Sequence, residues 1–162
     1  MSYIFCYNFE KYGEYSGQGT LVYRQLQGED GDTFPDFANL SATWDTAAEY
    51  ISLYPNVLLG IHRDHAFAII LRAVSQDQTE ENIHLYYTQP DTSAALRAKN
   101  TELWKTVFEE DVFVVEGMQR GRHADGFDGG KFSSAMDGPT HCFHDWVAGR
   151  IEMHRAHKVA AE

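Results

Sequence analysis

The acidic triplet Glu109-Glu110-Asp111 lies inside a predicted apolar helix, where carboxylates are unusual enough to be candidates for chemistry. Lys105 stands four residues before Glu109, a spacing typical of an ion pair on a helix surface. Asp111 has no cation three or four residues away, and a carboxylate buried without a partner tends to be protonated, to meet a distant cation or to bind a metal ion. Glu110 has similar neighbours, so spacing does not choose between them. A run of charges more often forms a solvent-facing surface.

A second set of candidate ligands is the segment around Cys142. His141 and His144 stand one helical turn apart on either side of it, so a site with two histidines is geometrically possible. The pattern Cys142-x-His144 also matches half of the motif that holds a Rieske iron–sulfur cluster. The other half, Cys-x-x-His, does not follow Cys6, so these residues do not assemble a cluster. We interpret the two histidines as flanking a packed helix.

Two apolar runs, residues 57–62 and 65–71, surround the polar pair Arg63-Asp64 and predict a β-hairpin. His62 and His65 flank its turn, and histidines at the end of a sheet are most often exposed, so we interpret both as solvent-facing. A third strand predicted at residues 83–87 completes an antiparallel meander.

The remaining secondary structure is predicted from the composition of each segment and from the spacing of its apolar residues. A long polar loop is predicted at residues 25–44 and a short helix at residues 43–53. Apolar residues recur at helical spacing over residues 101–122. A last helix is predicted to begin at Gly138-Pro139, because proline is favoured in the first turn. Strands followed by two long helices indicate an α+β domain.

Composition limits the classes of partner. The chain has 162 residues, with 13 Lys+Arg against 24 Asp+Glu and a net charge of −11, which argues against nucleic acid or an anionic membrane as a partner. Apolar residues make up 43%, too many for a disordered protein. The two cysteines favour a reducing compartment, and we expect no secretory leader, because the first residues lack a basic start and a long apolar run. The longest apolar run, residues 66–71, is too short to span a membrane. We expect a cytoplasmic single domain.

Three blocks resemble the catalytic domain in the α subunits of Rieske non-haem iron oxygenases, of the aromatic ring-hydroxylating kind. Residues 54–65 are similar to the hairpin of that domain. Residues 107–112, followed by 119–121, resemble its metal-bearing helix, and residues 132–146 resemble its closing strand and C-terminal helix. The likeness extends over roughly residues 18–152.

The resemblance implies an α+β helix-grip fold of the START-like kind, with an antiparallel sheet packed on a long C-terminal helix and N-terminal elements missing. Residues 1–162 are then expected to be a single partial catalytic domain. The family binds ferrous iron with two histidines and one carboxylate. Asp111 aligns with that carboxylate as a metal ligand, while the two histidines are expected just upstream of the chain and the [2Fe–2S] cluster in a missing N-terminal domain.

The resemblance also implies an activity, hydroxylation of an apolar or aromatic substrate with O2, in which Trp104, Phe108 and Phe113 border the pocket. The chain alone is expected to be inactive and to bind iron weakly. Oxygenase subunits, or a reductase or ferredoxin, are the expected partners. Self-association is expected through apolar surface in residues 3–15 and 25–44. The alternative is a non-catalytic module of the same fold, which binds a hydrophobic ligand or has a regulatory role.

Overall fold

A six-stranded antiparallel sheet, with its strands in sequence order, forms the body of the computed structural model, which describes residues 7–160. The strands are β1 (Tyr7–Tyr12), β2 (Tyr15–Thr20), β3 (Ala48–Leu53), β4 (Val57–Ile61), β5 (His65–Ser75) and β6 (Gln78–Tyr87). A short 3-10 helix (Ala42–Asp45) precedes β3, and the helices α1 (Ala94–Arg122) and α2 (Gly138–Ala160) follow the sheet. The predicted α+β helix-grip fold is confirmed.

The predicted hairpin is formed by β4 and β5, and the His62 N–H donates to the carbonyl oxygen of His65 at 3.0 Å where the chain turns. Gly60 is paired with Phe67 across the two strands. A Cβ atom at position 60 would lie 2.2 Å from Phe67 Cζ, so the Phe67 ring occupies space that only glycine leaves open.

Helix α1 begins at a Ser93 cap, whose Oγ accepts a hydrogen bond from the Leu96 N–H. It lies against β5 and β6, where Phe108 meets Phe67 edge to face with ring centroids 5.3 Å apart. Near its C-terminus, Gln119 Nε2 donates to Asp77 Oδ1 in the β5–β6 turn at 2.6 Å. The two contacts attach α1 to the sheet at the middle of the helix and near its C-terminus.

Helix α2 lies against β1 and β2, at the opposite edge of the sheet from β6. Glu14, in the turn between those strands, accepts hydrogen bonds from Arg150 and from Trp146 Nε1. Tyr54 packs against the rings of Phe143 and Trp146, at centroid distances of 5.3 and 5.4 Å. The predicted C-terminal helix is thereby confirmed, with Pro139 as its second residue.

The helix predicted for residues 43–53 is wrong. Only Ala42–Asp45 turns, as a 3-10 helix, and Ala48–Leu53 is β3, which pairs with β2 on one side and β4 on the other. Two flanking strands offer this segment a complete set of backbone hydrogen bonds, which outweighs a weak local preference.

The expected apolar surface in residues 25–44 is also wrong, because Phe34 is buried there and no large apolar side chain of that loop is exposed. Most of the other expected region, residues 3–15, lies outside the described side chains. Exposed apolar side chains occur instead on the second half of α1: Val112, Phe113, Val114, Val115 and Met118. No helix among the described residues is long and apolar enough to cross a membrane.

Candidate functional site

The turn between β4 and β5 holds a buried polar cluster. His62, Asp64 and His65 are 1%, 0% and 2% exposed, so the interpretation of the two histidines as solvent-facing is wrong. The rings of Tyr23 and Trp104 pack over them, at centroid distances of 4.8 and 5.1 Å from His62. These covering residues come from a distant loop and from α1, so the local sequence carried no signal of them.

The hydrogen bonds of the cluster define the tautomer of His65. Trp104 Nε1 donates to His65 Nε2 at 2.9 Å, and since an indole only donates, Nε2 is the acceptor nitrogen. His65 Nδ1 therefore carries the proton and donates to Asp64 Oδ1 at 2.7 Å. Tyr23 OH donates to the same oxygen at 2.7 Å. Both ring nitrogens of His65 are engaged, and neither is free to bind a metal ion.

Burial governs the protonation of these groups. It lowers the pKa of His62 to about 3, aided by the neighbouring His65, whose ring is stacked on it at 4.4 Å. Burial would raise the pKa of Asp64, but hydrogen bonds from His65 and Tyr23 outweigh it and hold that pKa below its ordinary value. Burial and the Asp64 carboxylate raise the pKa of Tyr23. At neutral pH the cluster therefore holds one anion, solvated by neutral donors.

An apolar cleft of about 340 Å³ lies between β6 and α1. Its walls are mainly aliphatic and aromatic side chains: Ile83, Leu85, Trp104, Phe108 and Val112. Lys105, Glu81 and Glu109 are the charged residues that border it. Of the three predicted pocket residues, Trp104 and Phe108 line this cleft, while Phe113 is 78% exposed and lies outside it.

The acidic triplet lies on the exposed surface of α1. Asp111 follows Trp104 by seven residues and Phe108 by three, which places it within about 20° and 60° of them around the helix. It therefore continues, towards the helix C-terminus, the side of α1 that lines the cleft. Lys105 and Glu109 form no ion pair in the described part of the chain, so the predicted surface pair is wrong.

The comparison with protein families decides the affiliation. Residues 6–153 match the sequence model of a family described as "Ring hydroxylating alpha subunit (catalytic domain)". The chain belongs to this family. No curated protein matches the chain.

Membership in the ring hydroxylating α subunits makes an iron site the obvious test of the fold. The described residues contain no group of three or more His, Cys, Asp or Glu that could hold a metal ion. The buried histidines and the exposed Asp111 belong to separate parts of the structure. These residues do not fit the two-histidine, one-carboxylate centre, and Asp111 as a metal ligand stays a prediction.

The histidines next to Cys142 pack at the start of α2. The rings of His141 and His144 both meet Phe132 edge to face, at centroid distances of 5.0 and 5.1 Å. His141 Nδ1 also lies 3.5 Å from Asp145 Oδ2. These contacts agree with their interpretation as residues flanking a packed helix.

A second, more polar cleft of about 680 Å³ lies on the other side of Trp104. It is bordered by His65 and by the loop after β2, together with residues of α1 that precede Trp104. Its walls include three cations and one carboxylate: Arg24, Arg63, Lys99 and Asp45. Trp104 is thus a wall shared by an apolar and a charged cleft in this ring hydroxylating domain.

Proposed function

We propose that this domain binds an apolar or aromatic small molecule between β6 and α1, as the substrate-binding portion of a ring-hydroxylating oxygenase α subunit. Complete subunits of this type would hydroxylate such a substrate with O2 at a mononuclear ferrous iron. The observation that carries the proposal is the apolar cleft, with Trp104 and Phe108 in its wall.

The cleft has the size and lining that a small apolar ligand needs. Its volume of about 340 Å³ lies within the range of ligand pockets, which are usually apolar with a few polar groups. The rings of Trp104 and Phe108 are stacked with centroids 5.6 Å apart and planes inclined by 20°. Aromatic side chains in a cleft wall can pack against a planar aromatic molecule face to face or edge to face.

Among the described residues, Asp111 is the one that we propose as a metal ligand. One exposed carboxylate does not bind ferrous iron tightly, because the family's centre needs two further histidine ligands. The chain has only two cysteines, so we place the [2Fe–2S] cluster outside this domain. The contribution proposed for the described residues is therefore to bind and orient the substrate.

Titration with naphthalene, followed by its fluorescence, tests substrate binding. We expect saturable one-to-one binding that Phe108→Ala weakens by roughly tenfold, because the variant removes a ring from the cleft wall. Phe113→Ala is the matched control, since Phe113 belongs to the same helix but is 78% exposed. Equal losses in both variants, or no saturable binding by a chain with a normal circular dichroism spectrum, would contradict the proposal.

The second candidate function is a non-catalytic module that binds a hydrophobic ligand, and it is favoured by the lack of a three-ligand group among the described residues. Iron analysis after anaerobic incubation with one equivalent of ferrous salt tests the module. Tight stoichiometric iron that Asp111→Ala removes would contradict the module and support the oxygenase function. Iron that washes out equally from both proteins is expected of either candidate, because one exposed carboxylate does not bind ferrous iron tightly.

We also propose that the domain self-associates through the apolar side chains on the second half of α1, which include Phe113 and Met118. Light scattering across a concentration series tests this. We expect the double variant Phe113→Ser, Met118→Ser to raise the monomer fraction. A chain that is monomeric at every concentration would contradict self-association.

A further inference from the structure

The charged cleft beside Trp104 contrasts in sign with the rest of the molecule. The chain carries a net charge of −11, yet three cations and a single carboxylate line this cleft. A locally positive cleft in an acidic protein attracts anions, because the charges that line it act on a ligand at short range. Its volume of about 680 Å³ is sufficient for a small organic molecule.

Two of the three cations are not neutralised by carboxylates of the described residues. Arg63 forms ion pairs with Asp36 and Asp45, at 2.5 and 3.0 Å. Arg24 has no ion-pair partner in this part of the chain. Lys99 donates to the Gln27 carbonyl oxygen, at 2.7 Å, which is a neutral acceptor. The cleft therefore has the charge of Arg24 and Lys99 available for a ligand.

The buried wall of the same cleft contains an unsatisfied acceptor. Asn100 is 0% exposed, and its Nδ2 donates to Tyr87 OH at 3.3 Å while its Oδ1 has no partner. A buried acceptor without a donor is unfavourable, so a ligand hydroxyl or amine that reached it would be stabilised. Trp104, Leu26 and Leu103 supply apolar surface beside these polar groups.

We propose that this cleft is a second ligand site, which binds a small organic carboxylate with an apolar body and a hydroxyl or amino group. Arg24 and Lys99 attract the carboxylate, Trp104 and Leu103 contact the body, and Asn100 accepts from the donor group. The site is separate from the apolar cleft, because only Trp104 lines both.

Calorimetric titration of the full chain with 6-hydroxy-2-naphthoate and with its methyl ester tests the proposal, since the two probes share a body and differ in charge. We expect the carboxylate to bind roughly fivefold or more tightly than the ester at low salt. In 0.5 M NaCl, where charges are screened, this preference should disappear. Equal affinity for both probes at low salt would overturn the proposal.

Substitutions test which residues bind the carboxylate probe. Arg24→Gln with Lys99→Gln should remove the preference for the carboxylate, while the control Lys105→Gln should keep it, because Lys105 is on the same helix but lines only the apolar cleft. Asn100→Leu should reduce binding of the hydroxylated probe towards that of 2-naphthoate. Loss of the preference in Lys105→Gln, or its survival in the double variant, would overturn the assignment. Phe108→Ala should leave it unchanged, which separates this site from the apolar cleft.

Discussion

The two halves of α1 differ in how they meet the rest of the molecule. In the first half, Leu96 and Asn100 are buried, and Trp104 and Phe108 pack on Phe67 and on the histidine cluster. The second half carries an equally apolar set of side chains, but they are exposed. The comparison teaches that helical periodicity predicts a helix without saying which of its turns is covered, because the cover comes from elements distant in sequence.

The largest difference in the free energy of unfolding is expected between substitutions of two aspartates. Asp64→Ala should lower the free energy of unfolding by about 3 kcal/mol or more, since it leaves Tyr23 OH and His65 Nδ1 as buried donors without an acceptor. Asp111→Ala, on the exposed half of α1, should change it by less than about 0.5 kcal/mol. Urea unfolding measures both, and equal losses would contradict the contrast.

The difference in stability between substitutions of two glycines should be smaller. Gly60→Ala should destabilise the protein by about 1–3 kcal/mol, because the new methyl group would overlap the Phe67 ring. Gly117→Ala, in the exposed half of α1, meets only the end of the Arg120 side chain at 3.8 Å and should stabilise the helix by about 0.5–1 kcal/mol. Thermal unfolding of the two variants should shift the midpoint in opposite directions.

Low pH should destabilise the protein mainly through the buried His62. The pKa of His62 is about 3 in the folded protein and about 6.5 when unfolded, so between these values the unfolded chain binds the extra proton. Stability should therefore fall as the pH decreases from about 6.5 towards 3, with a slope of up to about 1.4 kcal/mol per pH unit. The lowered pKa of Asp64 adds a loss only at lower pH, below its ordinary value near 3.8.

Urea unfolding at pH 7, 6, 5 and 4 measures this slope. His62→Gln should flatten it, and His84→Gln should leave it unchanged, because His84 is exposed on β6. A slope that is the same in all three proteins would show that other groups carry the acid sensitivity.

The smallest effect is expected at the far end of α1. Asp77→Ala removes the acceptor of two exposed hydrogen bonds, from Gln119 and from His123, so the global loss should stay below about 1 kcal/mol. Hydrogen exchange should nevertheless become faster in the last turns of α1, while the turns around Trp104 remain protected. Unchanged exchange near Gln119 would show that this contact does not hold the helix end.

Much of the fold could be predicted from the sequence, because local pattern suffices for it. The hairpin at Arg63-Asp64 and both long helices follow from the period of the apolar residues and from turn residues. Strand β3 could not be predicted, since its conformation depends on pairing with β2 and β4. A segment of marginal preference takes the conformation that its neighbours complete.

The site was predicted unevenly for the same reason. The family resemblance named Trp104, Phe108 and Phe113 as pocket residues; Trp104 and Phe108 line the apolar cleft, whereas Phe113 is exposed outside it. The cluster of His62, Asp64 and His65 was missed, because its burial depends on Tyr23 and on α1, which lie about 40 residues away on either side. The charged cleft was missed as well, since no spacing links Arg24 to Lys99.

The contact between Glu14 and α2 affects the order in which the parts of the protein can fold during synthesis. Glu14 receives Arg150 and Trp146 Nε1, which are more than 130 residues later in the chain. During synthesis the hairpin of β1 and β2 leaves the ribosome long before α2 exists, so this side of the sheet can complete its packing only after α2 has been synthesised. Contacts of such long sequence separation form slowly, and the β4–β5 hairpin, whose partners are adjacent, is the natural place for folding to begin.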